Sequence, residues 1–142
     1  MTGKLTTHVL DLYHGRPAKE MQIELWYKDP GGSRNPLRRV QTNDDGRVDR
    51  PLLAENEMKP GVYELVFDVA AYFLAQKVEL TTPPFLDRVP IRFGIGCRSG
   101  LGSITPTPTI TFPCWSLLGH TALTVAVSLR EHEKSDSLPP EG

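Results

Sequence analysis

The chain has 142 residues, a formal net charge of -1, 39% hydrophobic and 23% charged residues. That is enough for one domain with a real core and too little for two. No basic excess favours nucleic acid and no acidic run points to a solvating tail. No apolar stretch approaches the roughly 20 residues that span a bilayer as a helix. The high Gly and Pro content (12 and 13 residues) predicts many turns and excludes a helical bundle. Cys97 and Cys114 match no zinc-ligand spacing, so no metal site is expected. The N-terminus lacks a charged region followed by an apolar run, which predicts no signal peptide and an intracellular, cytoplasmic protein; a peroxisome is the alternative in a eukaryote.

Leu5–Asp11, L-T-T-H-V-L-D, alternates as a strand. Leu5, Thr7 and Val9 share one face; Thr6, His8 and Leu10 share the other, which sets His8 on a rigid strand away from Val9. His14-Gly15-Arg16-Pro17 signals a turn. Met21–Lys28 alternates again and predicts a second strand, with Ile23 and Leu25 in the core. After the loop composition of Asp29–Ser33, a third strand is expected over Leu37–Thr42, with Arg38 and Arg39 on an exposed edge or face. Asp45-Gly46 is a tight-turn dipeptide and delivers Arg47 just after a reversal. Val62–Phe67 places Tyr63, Leu65 and Phe67 on one face. Asp68 to Lys77 is the one convincing helix, with Asp68 as its N-cap. Phe85–Ile95 alternates clearly, and Pro90 within it predicts an edge strand. About six strands and one short helix fit an all-β sandwich.

After Ile95 the composition changes. Gly96–Pro108 is Gly, Ser, Thr and Pro with little core material, and Glu131–Gly142 is charged and Pro-rich. Thr121–Leu129 has strand propensity. The expected organisation is therefore a domain over 1–95 and a tail over 96–142, with the C-terminal third irregular or disordered.

Leu5–Asp11, Gly15-Arg16-Pro17-Ala18, Thr42–Arg47, Pro60–Leu65 and Phe85–Pro90 together resemble the motifs of the transthyretin-related 5-hydroxyisourate hydrolase family. The resemblance covers Lys4 to Ile95 and implies a transthyretin-like β-sandwich that assembles as a homotetramer with sites at subunit interfaces. It also implies the activity: hydrolysis of 5-hydroxyisourate to 2-oxo-4-hydroxy-4-carboxy-5-ureidoimidazoline in urate breakdown, without metal or organic cofactor. His8 would be the catalytic residue that activates water, since imidazole ordinarily titrates near neutrality. Arg47 would bind substrate with a permanently charged fork suited to an oxyanion. His8 and Arg47 together favour the hydrolase over the hormone-carrying transthyretins.

The family closes on H-Y-H-V-P-L-L and Y-R-G-S, and this chain has neither. A shift of reading frame would restore both: the codons beneath Thr109–Ala126 permit these motifs in order, and Val127-Ser128 permits a stop immediately after. Residues after about Ile95 are therefore read as an out-of-frame C-terminus, and the literal chain is expected to be poorly active. His120 lies in the altered segment and does not replace the missing histidine. His14 and His132 are expected to face solvent, Trp26 and Tyr27 to pack, and Asp44 and Asp45 to form a turn. A non-catalytic transthyretin-like binding or structural protein is the alternative; an immunoglobulin-like module has the wrong Cys and Trp spacing.

Overall fold

The computed structural model describes residues 3–96, 110–114 and 123–131, the last two stretches as backbone. The strands are β1 (Gly3–Asp11), β2 (Arg16–Pro17), β3 (Gln22–Lys28), β4 (Arg34–Gln41), β5 (Gly61–Asp68), β6 (Arg88–Ile95), β7 (Ile110–Cys114) and β8 (Leu123–Glu131). Among the described residues a single α-helix, α1, covers Val69–Ala75 and a 3₁₀ turn covers Glu55–Glu57. The strands form two antiparallel sheets, in the orders β2-β1-β8-β7 and β4-β3-β5-β6.

The period-2 pattern decides what lies between the sheets. Leu5 and Val9 of β1, Ile23 and Leu25 of β3, Tyr63, Leu65 and Phe67 of β5, and Ile91 and Ile95 of β6 are all buried in one apolar cluster. Val69, Tyr72 and Phe73 of α1 join it. Full burial of a side chain such as Phe67 or Leu65 stabilises by about 1.5–3 kcal/mol. Each of the four edge strands carries a proline, namely Pro17, Pro36, Pro90 and Pro113. Proline donates no ladder hydrogen bond, so it belongs at edges and blunts them against further pairing.

Several boundaries differ from expectation. The third strand starts at Arg34, not Leu37, because the short turn at Asp29–Ser33 returns the chain directly: the Asp29 amide donates to Ser33 O (2.9 Å) and that of Gly32 to Asp29 O (2.8 Å). The helix is shorter than 68–77, and Asp68 stands before it without a side-chain capping bond. The amides of Val69 and Ala70 donate instead to the carbonyl of Asp87, at 3.0 and 3.1 Å, so a backbone group does the capping. The last clear strand begins at Arg88 rather than Phe85.

The C-terminal third, expected to be irregular, contributes β7 and β8. β8 pairs with all of β1, from Gly3↔Glu131 to Asp11↔Leu123. Its alternation explains the register: Leu123, Val125, Val127 and Leu129 stand opposite Asp11, Val9, Thr7 and Leu5, the residues of β1 that turn inward. Cys97, His120 and His132 lie outside the described residues.

Candidate active site

His8 sits half-buried on the outer face of β1, while its neighbours Thr7 and Val9 are buried on the inner face. On one side its register partner is Ala126 of β8. On the other it is Arg47, across an isolated antiparallel bridge. The two residues singled out in the sequence, 39 positions apart in the chain, are thus cross-strand neighbours on one sheet face.

The turn that delivers Arg47 is tightly bonded. The Asn43 amide donates to Arg47 O at 2.7 Å, and the Gly46 amide to Asn43 O at 3.0 Å. Asn43 Oδ1 accepts from the amides of Asp45 (2.9 Å) and Arg47 (3.1 Å), an arrangement open to Asn because its side chain mimics a backbone turn. Gly46 has φ +72° and its carbonyl accepts the Val9 amide at 2.9 Å. A Cβ at this position would collide with the carbonyl oxygen of Val9, so only glycine lets the turn lie against β1. Beneath the turn, buried Thr42 donates its hydroxyl to Ala18 O (2.6 Å) and accepts the Met21 amide (2.8 Å). Asp44 pairs with Lys19 at 2.7 Å, and Asp45 stays in the turn as expected.

A second polar cluster closes the end of β1. The carboxylate of Asp11 is fully buried. Its Oδ1 accepts the His14 amide at 3.0 Å; its Oδ2 meets His14 Nδ1 at 2.6 Å and accepts the Tyr72 hydroxyl at 2.7 Å. His14, expected to face solvent, is an exposed residue, and its ring is at the same time held on this carboxylate, stacked near Phe73 with Tyr13 edge-on. A buried carboxylate needs donors, and here the His14 amide, three residues on, and the Tyr72 hydroxyl supply them. Burial raises the pKa of the Tyr72 phenol, and the adjacent Asp11 raises it further, so Tyr72 stays a donor. Tyr72, on α1, is brought to this carboxylate only by the fold. A cleft of about 260 Å³ beside it, lined by Arg16, Pro17, Lys19, Asp44, Tyr72 and Gln76, adjoins the Arg47 turn through Asp44.

Among the described residues no group of three His, Cys, Asp or Glu side chains is placed to hold a metal ion. No helix among them is long and apolar enough to cross a membrane. The bridge sets an imidazole and a guanidinium on paired backbone positions, groups whose chemistry suits a base for water and a cation for a developing oxyanion.

Known proteins are similar to this chain over most of its described length. Residues 5–100 match the family described as HIUase/transthyretin. The chain belongs to that family. Among its relatives, the 5-hydroxyisourate hydrolase of Halalkalibacterium halodurans is 50% identical over 95 residues, covering 67% of this chain and 80% of that protein. The 5-hydroxyisourate hydrolase of Ralstonia nicotianae is 42% identical over 114 residues, 80% of this chain and 93% of that one. A crystal structure of (S)-allantoin synthase shares 40% identity at a TM-score of 0.62, over 66% of this chain and 35% of that chain. Transthyretin from Sparus aurata, 17% identical with a TM-score of 0.62 over 87% of this chain and 97% of its own, shows the common fold. The family match thus ends close to where the composition of the chain changes.

Proposed function

We propose that this chain is a 5-hydroxyisourate hydrolase. His8 takes a proton from water, and the water oxygen attacks the ring carbonyl. The oxygen of that carbonyl becomes negative beside the Arg47 guanidinium. The carbon–nitrogen bond then breaks, the nitrogen takes the proton back from His8, and the ring opens to a carboxylate. The observation that carries this reading is the antiparallel bridge between His8 and Arg47. Relatives up to 50% identical that bear this name support it.

The literal chain works slowly in this proposal. Ala126 is the residue in register with His8 on the β8 side, and the H-Y-H and Y-R-G-S motifs implied by the resemblance are absent. The base and the cation are present without the other groups of the family's closing strands. A homotetramer with sites at subunit interfaces is part of the same proposal, as is the origin of residues after about Ile95 in a shifted reading frame.

Decay of freshly generated 5-hydroxyisourate, followed by ultraviolet absorbance with and without the chain, tests the activity. The expected rate exceeds spontaneous decay and falls well below that of the Halalkalibacterium halodurans relative. A rate equal to the relative's overturns the impairment; a rate equal to spontaneous decay favours the non-catalytic binding or structural reading. Size-exclusion chromatography tests the tetramer, and the nucleotide sequence beneath Thr109–Val127 tests the frame.

A further inference from the structure

The outer face of the sheet β4-β3-β5-β6 lies on the opposite side of the sandwich from His8 and carries an ordered charge network. Glu24 of β3 accepts from Arg39 of β4 (2.6 Å), from Arg88 of β6 (2.6 Å) and from the indole N–H of Trp26 (3.2 Å). Glu64 of β5 accepts from Arg34 of β4 (2.5 Å) and from Arg92 of β6 (3.1 Å). On its way Arg34 lies over the Trp26 ring, 4.5 Å from its centroid. Four arginines thus meet two glutamates, and the network reaches across all four strands. Lys28 and Asp68, at the two ends of the same face by strand alternation, offset each other.

The layering matters more than the count. The arginine side chains are 47–70% exposed, while those of Glu24 and Glu64 are only 15% and 11% exposed. The acids lie beneath and the guanidiniums above, so a chain of net charge -1 shows a cationic surface here. Each guanidinium is oriented by its carboxylate and keeps further N–H donors for a second one. Apolar surface lies among them. β4 is an edge strand, and its register shifts where Leu25↔Arg38 passes to Trp26↔Pro36, leaving Leu37 as the extra, bulged residue. Leu37 is 46% exposed at the rim of a pit of about 450 Å³ that Glu24, Trp26, Pro36, Arg38 and Arg39 complete.

We propose that this face is a docking surface for an acidic, aliphatic segment of a partner protein, whose carboxylates pair with Arg34, Arg39, Arg88 and Arg92 and whose apolar side chain enters the pit beside Leu37. Arginine and tryptophan are the residues enriched at protein interfaces, and the exposed Leu37 beside the pit adds apolar surface to bury. Charge complementarity selects acidic residues. A nucleic-acid strand fits less well: it needs aromatic faces for its bases, and Arg34 covers Trp26. The proposal stands apart from the hydrolase reading, because none of these groups touches the His8–Arg47 face.

The probe is a short synthetic peptide alternating Glu with Leu, titrated against the full chain at low and moderate salt and followed by NMR at the Trp26 indole and arginine Nε–H signals. Binding is expected to move these signals, to weaken with salt, to vanish for the Gln-for-Glu peptide, and to weaken at least tenfold in R39Q/R92Q. Leu37→Asp, an exposed bulge change that leaves both ion-pair clusters intact, is expected to weaken it as much. Equal binding of the Gln peptide, unchanged affinity in Leu37→Asp, tighter binding of oligothymidine than of the peptide, or no response on this face overturns the proposal.

Discussion

The sheet β4-β3-β5-β6 is woven from strands of a single continuous stretch of chain, residues 22–95, and most of its pairs join neighbours in sequence. The sheet β2-β1-β8-β7 joins β1 to β8, from opposite ends of the chain. The first sheet closes within that one stretch; the second must bring more distant parts of the chain together, at greater entropic cost. The candidate site lies on the second sheet, yet its best-tied side is local. The bonds of β1 to Gly46 and Leu53, and the bridge to Arg47, come from the first 53 residues. One flank of His8 therefore rests on a turn built around Asn43 and Gly46, and the other on a strand that lies beyond the residues matched to the family.

That contrast can be tested by breaking each side. The largest effect is expected at the site itself. His8→Asn removes a general-base contribution on the order of 10²–10⁴, which brings the decay of 5-hydroxyisourate to its spontaneous rate. Arg47→Gln is expected to do the same with unchanged circular dichroism, because the guanidinium makes none of the bonds that hold its turn. Gly46→Ala comes next. The collision with the Val9 carbonyl and the positive φ should cost about 3 kcal/mol or more, read from urea unfolding, with loss of turnover.

Tyr72→Phe removes one of the donors to buried Asp11 and should cost about 1–3 kcal/mol, again by urea unfolding. The raised phenol pKa gives the sign at high pH. Its contribution is complete below the ordinary value of 10.0 and is lost as pH rises through the folded value, so alkaline stability should be less pH-dependent in the variant. The smallest effect lies on the other sheet. Burial pushes the Glu24 pKa up, but hydrogen bonds from Arg88, Arg39 and Trp26 outweigh it and leave the carboxyl below its ordinary 4.5. Its contribution is present above that value and fades as pH falls through the depressed one. Glu24→Gln should thus flatten the acid limb of a stability–pH curve, by under about 1 kcal/mol at neutral pH.

Much of this architecture was legible in the residues. Alternation set the inward faces of β1, β3 and β5, and Pro90 marked β6 as an edge. The linked motifs brought His8 and Arg47 to notice, and the turn dipeptide placed Arg47 beside a reversal. Three things were not legible, each for a physical reason. The helix start is capped by the Asp87 carbonyl, a contact across the β6 entry that local propensity does not encode. The bond of His14 to Asp11 was not read because the cluster they form is completed by Tyr72 of α1, far along the chain. β8 was hidden by its irregular surroundings, although Thr121–Leu129 had strand propensity; only the open edge of β1 gives that alternation a place to pair.

The exposed edge of β1 asks little of the strand that covers it. A free backbone and every second residue apolar are enough to fix the register, a constraint that specifies roughly polarity and leaves identity open. Catalysis asks for particular atoms at particular positions. A stretch of chain can therefore satisfy the architecture without being held to the chemistry: β8 pairs along all of β1 and sets Ala126 opposite His8. A finished sandwich and a finished active site are therefore separate demands on the same strand.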